Sequence, residues 1–332
     1  MVELRAGLVG AGGVAERHAQ TLARLDGVRL VAVTDVDAAR AEDLAQRHDA
    51  QPCPDVDALL DTHGLDAVWV CVPPFAHGPT ERAVLEAGLP LFVEKPLSVD
   101  LATAEELAAL VARSGVVTGT GYHWRCMPGV ERAAEVLEGT AVRLAHASWL
   151  DKVPPVGWWL RRDLSGGQVL EQATHLLDCL RLLVGEPVRV SASPASTPGR
   201  DPALVDQATA ATLVFDTGAV ATLTATSLLD RKHAACLQLV GDGVLVEVGE
   251  TETVLDRRGE VERVPDAGVS KERVDAEFCA AVRAGDPAAV RVPYAEALRT
   301  HRVGCALVES AATGRPVDLD TGGPVDLDAT PR

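Results

Sequence analysis

VELRAGLVGAGGVAERHAQTLARLDGVRLVAVTDVDA, residues 2–38, is the stretch that decides the fold of this chain. A short apolar strand runs into Gly10 and Gly12, and the small Ala15 completes the spacing G-x-G-x-x-A. The first glycine permits a tight turn, the second lets a pyrophosphate approach the backbone, and the third small residue lets a helix pack closely on the strand. The pattern therefore predicts strand, turn, helix and second strand, the beginning of a dinucleotide-binding fold.

The second predicted strand ends at Asp35, at the distance from the glycines where a carboxylate can accept the ribose hydroxyls of a dinucleotide. A carboxylate there repels a 2′-phosphate, so we expect NAD rather than NADP. Two alternatives stay open: Asp35 caps the next helix, or Asp37 takes either role. The helix after the glycines, predicted over residues 14–25, offers its N-terminal amides to phosphate.

Composition limits the class of protein. The 332 residues predict roughly two domains, and a hydrophobic fraction of 47% is enough to build a sizeable core. The formal net charge of −17 disfavours nucleic acid and anionic membranes as partners. Seven scattered cysteines with no C-x-x-C pair indicate a reduced, cytoplasmic setting. We expect no secretory signal, because the chain enters a strand at once, and no run is long and apolar enough to span a bilayer.

Strands alternate with helices up to about residue 122, which predicts an α/β fold with a parallel, doubly wound Rossmann sheet over residues 1–122. Ligands of such sheets bind outside the carboxyl ends of the strands. Five residues follow predicted strands there and should share one edge of the sheet: Gly10, Asp35, Pro73, Lys95 and Tyr122.

The pattern changes after Pro128. We predict a loop over 154–167, one amphipathic helix over 168–184, and an antiparallel meander over 188–264, followed by helices over 270–284 and 293–313. These make a C-terminal α+β domain, residues 123–315, with a large, mostly antiparallel open sheet. We expect one face of that sheet to be free for a partner, such as a second copy of the chain. The tail, 316–332, carries PVDLD twice and is predicted as a short extended segment plus a flexible end.

Lys95, in Glu94-Lys95-Pro96, is the first residue that could carry a reaction. Proline restricts the residue before it to extended geometry, which would hold Lys95 at a strand end. A lysine there can hydrogen-bond a substrate hydroxyl and favour its alkoxide. The simpler alternative is a solvated lysine at the end of a strand.

The second candidate is the stretch 165–178, in which Glu171, His175 and Asp178 fall at i, i+4 and i+7 on one helix face. A histidine, which changes charge near neutral pH, suits proton exchange with an alcohol or ketone, and Glu171 could orient its ring. The alternatives are an ordinary surface Glu–His pair and a satisfied core histidine.

Five motifs in order resemble the glucose–fructose oxidoreductase, inositol dehydrogenase and rhizopine-catabolism (Gfo/Idh/MocA) family. They are GLVGAGGVAERHAQTL (7–22), VWVCVPPFAHGP (68–79), FVEKPLS (92–98), GYHWRCMP (121–128) and SGGQVLEQATHLLD (165–178). The resemblance implies a Rossmann domain followed by a domain with a large open sheet, dimers or tetramers formed through that sheet, a nicotinamide cofactor, and substrates that are mostly sugars or cyclitols.

Roles are carried over residue by residue. The family lysine maps onto Lys95, and the late helix acid and histidine map onto Glu171 and His175. One departure is that many members have aspartate where this chain has Glu171, and a third glycine where it has Gln168. His18, on the first helix, ranks below the glycines as a site residue.

The expected site is therefore as follows. Catalytic residues are Lys95, His175 and Glu171; cofactor-binding residues are Gly10, Gly12, Gly13, Val14, Asp35, Pro73, His77, Glu94 and Lys95; substrate-binding residues are Tyr122, Arg125, Trp158, Gln172 and Asp178; no metal set is present. We expect an NAD-dependent dehydrogenase or reductase acting on a carbohydrate-like secondary alcohol or ketone. The alternatives are a hydrolase or lyase that uses bound NAD for transient oxidation, and a non-catalytic ligand sensor.

Overall fold

A computed structural model describes residues 3–320. In its first part the strands are β1 (Leu4–Val9), β2 (Val28–Thr34), β3 (Gln51–Pro52), β4 (Ala67–Val70), β5 (Leu91–Val93) and β6 (Thr118–Thr120). The helices are α1 (Gly13–Leu22), α2 (Ala38–Arg47), α3 (Val56–Leu60), α4 (Pro79–Glu86) and α5 (Leu101–Ser114). All six strands are parallel, in the order β3-β2-β1-β4-β5-β6. The predicted doubly wound sheet is confirmed, with β3 as an outer strand that the sequence pattern did not reveal.

The second part contains β7 (Val142–Leu150), β8 (Pro187–Ala195), β9 (Ala208–Phe215), β10 (Val220–Thr226), β11 (Ala234–Gly241), β12 (Val244–Gly249), β13 (Glu252–Arg257), β14 (Glu260–Pro265) and β15 (Val317–Asp318). Its helices are α6 (Pro128–Leu137), α7 (Arg162–Ser165), α8 (Gln168–Glu171), α9 (Thr174–Leu183), α10 (Val269–Ala284) and α11 (Tyr294–Thr313). The first PVDLD supplies β15, which pairs with β8. The second, 324–328, and the predicted flexible end lie outside the described residues.

The nine strands form one sheet in the order β14-β13-β12-β11-β7-β10-β9-β8-β15. A mostly antiparallel sheet is confirmed, but the predicted simple meander is wrong, because β7 lies between β10 and β11 and runs parallel to β10. The connection over residues 227–233 is long enough to pass β7, so consecutive strands need not be neighbours.

The predicted single helix over 168–184 is also wrong. The amide of Ala173 bonds to the carbonyl of Gln168 at 3.0 Å, five residues back, which interrupts the regular ladder of bonds four residues back. The chain therefore forms α8 and α9 with a turn between them. The predicted loop over 154–167 contains α7, which ends at Gly166 in a left-handed conformation (φ 72°).

The chain divides into two compact units. Of the described residues, the first unit comprises 3–98, 102–122 and 271–298, and the second comprises 99–101, 123–270 and 299–320. The predicted boundaries, 1–122 and 123–315, placed all of α10 in the second domain, whereas the structure assigns most of it to the first unit. The reason is packing: the Phe278 ring lies 5.1 Å from that of Trp69 and 5.4 Å from that of Phe92.

One face of the nine-stranded sheet is covered and the other is open. The covered face packs on apolar side chains of α6, α9 and α11, such as Val130, Leu177 and Leu307. Glu247 of β12 lies on the open face, where it accepts a hydrogen bond from Gln238, and Arg143 is exposed at the start of β7. From Leu144 onward, the neighbouring strands β7, β9, β10 and β11 present no Asp, Glu, Lys or Arg on that face. We call the residues of these strands that point away from the helices the open face: Leu144, His146, Ser148, Leu150, Ala208, Ala210, Thr212, Val214, Val220, Thr222, Thr224, Thr226, Ala234, Cys236, Gln238 and Val240.

Candidate active site

The glycine turn after β1 fits a dinucleotide. Gly10 has φ 97°, and a Cβ there would lie 2.3 Å from the carbonyl oxygen of Cys71, so no larger residue fits. At Gly12 and Gly13 an added Cβ would meet no atom within 4 Å. The backbone at the start of α1 is therefore open on the side where a pyrophosphate would approach the first amides of the helix. Val14, beside it, is 42% exposed.

Asp35 ties the end of β2 to this turn. Its Oδ2 accepts a hydrogen bond from the Ala11 amide at 2.6 Å, and its Oδ1 accepts one from the Asp37 amide at 2.8 Å. Asp37 is the residue that caps α2, accepting from the Ala39 amide at 3.1 Å. Of the two alternatives, helix capping therefore belongs to Asp37. Asp35 keeps its place beside the glycines.

Pro73 and His77 lie in the loop that follows β4, at the same edge of the sheet. Pro73 precedes a short 3₁₀ turn, Pro74–Ala76. The Nδ1 of His77 bonds to Glu81 at 2.5 Å, and the other oxygen of Glu81 accepts the Gly78 amide at 2.7 Å. These bonds bury and fix His77, and its contact with a cofactor stays a prediction.

Glu94 and Lys95 follow β5 at that edge. One Glu94 oxygen accepts bonds from Arg17 and His18, each at 2.9 Å, and the other accepts the Lys95 amide at 3.1 Å. A Cβ at Gly121 would lie 2.4 Å from Glu94, so glycine is needed there to seat the carboxylate. Lys95 is half-buried, and its bond to Pro96 is cis.

Glu94 is ionised in this setting. Burial alone would raise the pKa of its carboxyl group, but the hydrogen bond from His18 and the charges of Arg17 and His18 outweigh burial and lower the pKa to about 2. Glu94 therefore offers acceptor oxygens only, and its bond to the Lys95 amide holds the backbone from which that lysine projects.

His175 lies in the second unit, at the start of α9. Its ring is buried, 4.8 Å from the His123 ring in an edge-on contact, and 6.1 Å from the rings of both Trp124 and Trp149 in stacked contacts. Lys232 Nζ lies 4.0 Å from the centre of the Trp149 ring. The alternative of an exposed Glu–His pair is therefore excluded, whereas a role in proton transfer stays a prediction.

Glu171, at the end of α8, accepts a hydrogen bond from the indole N–H of Trp159 at 2.9 Å. Trp159 is fully buried and Trp158 is half-buried, so the two adjacent tryptophans differ in their surroundings. A role for Trp158 as a wall against the substrate stays a prediction. The link from Trp159 to Glu171 was not predicted, and the sequence signals it only through the two neighbouring tryptophans before the helix.

Arg125 and Asp178 form a buried, two-bond ion pair, with Nε–Oδ2 at 2.7 Å and Nη2–Oδ1 at 2.8 Å. Asp178 also accepts from Thr300 at 2.8 Å, and Thr300 in turn accepts from Arg181 at 2.7 Å. Both Arg125 and Asp178 were predicted to bind substrate. Their charged groups hold α9 in place, and direct contact with substrate stays a prediction.

The remaining predicted substrate residues differ in exposure. Gln172 is half-buried and its amide oxygen accepts from Gln168 at 3.0 Å, while Tyr122 is fully buried. Gln168, the departure from the family's third glycine, also donates to the carbonyl of Thr226 at 2.8 Å and so links α8 to β10.

His18 and Asp275 are the residues that sequence reasoning undervalued or missed. The His18 ring is fully buried, with Nδ1 2.7 Å from Asp275 Oδ1 and Nε2 2.9 Å from Glu94 Oε1. The available signal was position, because His18 lies one turn after Ala15 on the buried face of α1. Asp275 comes from α10, more than 250 residues away, and no local pattern indicates it.

The described residues contain neither a metal-binding cluster nor a membrane-spanning helix. Within residues 3–320, no group of three or more His, Cys, Asp and Glu is arranged to hold a metal ion. No helix in that range is long and apolar enough to cross a membrane.

Comparison with known families agrees with this geometry. Residues 4–122 match the model described as an oxidoreductase family with an NAD-binding Rossmann fold, and residues 138–246 match the GFO/IDH/MocA C-terminal domain. Together the two models cover more than half of the chain. The chain therefore belongs to the Gfo/Idh/MocA family of oxidoreductases, and its first unit is the NAD-binding fold of that family.

Individual relatives are distant. An uncharacterized oxidoreductase, YrbE, of Bacillus subtilis is 28% identical over 230 residues, 65% of each chain. A 1,5-anhydro-D-fructose reductase of Ensifer adhaerens is 28% identical over 338 residues, covering 96% of this chain and 99% of the relative. A solved structure of levoglucosan dehydrogenase with NADH and L-sorbose has a TM-score of 0.87 at 20% identity, over 96% of this chain and 100% of that one. At that identity the structural likeness shows the fold.

Proposed function

We propose that the protein is an NAD-dependent oxidoreductase that interconverts a secondary alcohol and a ketone on a sugar, a cyclitol or a derivative of one. The observation that carries this proposal lies within the first unit. The open glycine backbone at Gly12 and Gly13 and the anchored Lys95 follow strands of one parallel sheet and share its carboxyl edge. A cofactor bound at that edge would therefore share it with Lys95.

Residues at this edge would hold the dinucleotide by its two charged or polar parts. The amides at the start of α1 would bind the pyrophosphate, and Asp35 would accept the ribose hydroxyls. When bound, NAD supplies the acceptor or donor of the hydride. The preference for NAD over NADP follows from the negative charge of Asp35.

Lys95 and His175 divide the acid–base work in this proposal. Lys95 hydrogen-bonds the reacting oxygen and stabilises negative charge on it, and His175 takes the hydroxyl proton during oxidation and returns it during reduction. Glu171, which ends α8 and so lies on a different helix from His175, keeps its proposed role of orienting the His175 ring. Lys95 and His175 belong to different units, so the claim that both serve one substrate is part of the proposal and is tested by kinetics.

The sugar-like substrate class rests on the family and on the names of relatives, among them the anhydrofructose reductase and the levoglucosan dehydrogenase. The test is to incubate the purified protein with NAD or NADH and a panel of sugars, inositols and sugar acids, and to follow the absorbance of reduced nicotinamide. We expect reduced cofactor to form in a one-to-one ratio with oxidised product.

Two other results would contradict this function. Conversion of a substrate with no net change in cofactor would indicate a hydrolase or lyase that oxidises its substrate transiently. Binding of NAD and of a panel member without any turnover would indicate a ligand sensor.

We further propose that the chain forms homodimers or homotetramers through the open face. Leu144, Val220 and Val240 on this face are 40–49% exposed, and the residues that define the open face include no Asp, Glu, Lys or Arg in a protein whose net charge is −17, although Arg143 and Glu247 border them. Thr222, which bonds to His146 at 2.7 Å, lies in its middle. The variant Thr222→Arg should be monomeric by sedimentation, whereas Arg263→Glu, on the edge strand β14, should keep the native assembly. A monomeric native protein would contradict the proposal.

A cytoplasmic location is proposed on the cysteines. All seven are scattered along the sequence without a C-x-x-C pair, which suits a reducing compartment.

A further inference from the structure

His18 is buried between two carboxylates. Its Nδ1 lies 2.7 and 2.9 Å from the two oxygens of Asp275, and its Nε2 lies 2.9 Å from Glu94. A neutral imidazole has one N–H, and an ionised carboxylate only accepts, so bonds at both nitrogens require the doubly protonated imidazolium. Burial alone would lower the pKa of His18, but the two carboxylates outweigh it and raise the pKa to about 9.

The ring belongs to a chain of charged contacts within the first unit. Asp275 also accepts from the indole N–H of Trp69 at 2.9 Å, and Glu94 also accepts from Arg17 at 2.9 Å. The Phe92 ring lies 5.2 Å from the His18 ring in an edge-on contact. The half-buried Cys71 lies near the charges of Glu94, Asp275 and Arg17, and loss of solvation raises the pKa of its thiol, so it stays neutral.

Lys95 is the last residue in this series of contacts. The Glu94 oxygen that does not contact His18 accepts the Lys95 amide, so the order of contacts is Asp275, His18, Glu94, Lys95. These residues come from α10, α1 and the segment after β5. The same helix, α1, begins at the glycine turn, so one rigid element carries both His18 and the open amides.

We propose that His18 is a positioning residue for Lys95: its imidazolium fixes the Glu94 carboxylate, which in turn holds the backbone of Lys95 at the sheet edge. Loss of the His18–Glu94 bond lets Glu94 turn toward Arg17 alone and loosens the Lys95 segment. The inference rests on the proposed role of Lys95 in turnover. The inference gives His18, which is not among the expected catalytic residues, a positioning role and a positive charge.

Two variants of His18 each retain a hydrogen-bond donor at only one of the two ring nitrogen positions. The amide nitrogen of His18→Gln falls near Nε2 and keeps a donor toward Glu94, whereas that of His18→Asn falls near Nδ1 and keeps a donor toward Asp275. We expect His18→Asn to lower kcat by about 10- to 100-fold with a nearly unchanged KM for NAD, because Lys95 is misplaced. His18→Gln should retain at least several-fold more of the wild-type kcat. Equal losses in kcat, or a smaller loss for His18→Asn, would overturn the proposal.

A second measurement needs no variant to be active. In wild-type protein with ¹⁵N-labelled histidine, one of the nine histidines should keep both ring nitrogens protonated at pH 8, and its signal should vanish in His18→Gln. Nine neutral rings at pH 8 would refute the imidazolium bridge, even if both variants fail to fold.

The failure of this inference is distinguishable from failure of the proposed function. If Lys95→Ala keeps the wild-type kcat, the function assigned to Lys95 fails, whatever the histidine spectrum shows. If Lys95→Ala is inactive but His18→Asn keeps the wild-type kcat, only the positioning role fails. In the background of Lys95→Ala, His18→Asn should cause no further loss of residual activity, and an additional tenfold loss there would also contradict the positioning role.

Discussion

The indole N–H of Trp159 donates a hydrogen bond to Glu171 at 2.9 Å, which gives the longer side chain at this position a structural purpose. The resemblance to the family implies aspartate at this position in many members. A glutamate at the end of α8 reaches the fully buried Trp159, and its carboxylate is oriented by that contact. The departure from the family pattern is therefore matched by a partner elsewhere in this chain.

We predict that Glu171→Asp lowers kcat by about tenfold, because the shorter side chain loses a hydrogen bond to a charged group worth about 1.5 kcal/mol. Steady-state kinetics with the best substrate of the panel measure this change. Trp159→Phe removes the same bond from the other side and should cause a similar loss. The double variant should be no worse than either single one; additive losses would show that the two residues act independently.

Asp35 should determine the choice of cofactor. We predict a lower KM for NAD than for NADP, and that Asp35→Asn narrows the preference by about tenfold because the repulsion of a 2′-phosphate is removed. Competition kinetics with the two cofactors measure the ratio. Asp37→Asn is the matched control, since it retains a capping side chain for α2 and should leave the ratio unchanged. A native preference for NADP would contradict the assignment.

The buried pair of Arg125 and Asp178 should dominate the stability of the second unit. Asp178→Asn leaves a buried guanidinium without its counter-charge, and we predict a loss of about 3 kcal/mol in the free energy of unfolding. Urea unfolding followed by far-UV circular dichroism measures it. The exposed pair of Arg161 and Asp163 is the control, and Arg161→Ala should leave the midpoint unchanged. If Asp178→Asn left the free energy of unfolding unchanged, the pair would not stabilise the second unit.

The contacts of His18 and Glu94 predict a pH window for stability. The pKa of His18 is about 9 when folded, against an ordinary 6.5, so its contribution is complete below pH 6.5 and is lost as pH rises through 9. The pKa of Glu94 is about 2, against 4.5, so its contribution is complete above pH 4.5 and is lost as pH falls through 2. Their combined contribution is greatest between pH 4.5 and 6.5.

The measurement is urea unfolding of wild-type protein and His18→Gln at pH 6.5, 8 and 9.5. The advantage of the wild type, on the order of 3 kcal/mol at pH 6.5, should shrink steadily toward pH 9.5. Glu94 titrates well below this pH range, and groups that do not contact His18 titrate alike in both proteins and cancel in the difference. A constant difference would show that His18 does not titrate between these limits.

The parts of the fold that depend on local pattern could be predicted, and those that depend on distant contacts could not. Gly10 needs a positive φ and Asp35 ends a buried strand, and both signals lie within a few residues. The position of β7 between β10 and β11 is decided by pairings across 76 to 99 residues, which the alternation of side chains cannot specify.

The same reasoning applies to the candidate site. The Lys-Pro pair and the helical spacing make Lys95 and His175 candidates, and the resemblance to the family gives them roles that stay predictions. The break before α9 and the bond from Trp159 to Glu171 depend on packing that local periodicity does not report. His18 reads as an ordinary helix residue until Asp275, from the other end of the chain, is seen beside it.

The most direct test of the account compares Lys95→Ala with wild type in two assays on the same preparation: kcat for the best substrate, and NAD affinity by titration calorimetry. We predict that kcat falls by at least about 100-fold while the Kd for NAD changes by less than about threefold, because the lysine acts mainly on the reacting oxygen and the expected contacts of the pyrophosphate and ribose remain. Lys271→Ala, an exposed lysine of α10, should match wild type in both. A wild-type kcat in Lys95→Ala would contradict the role of Lys95 in turnover.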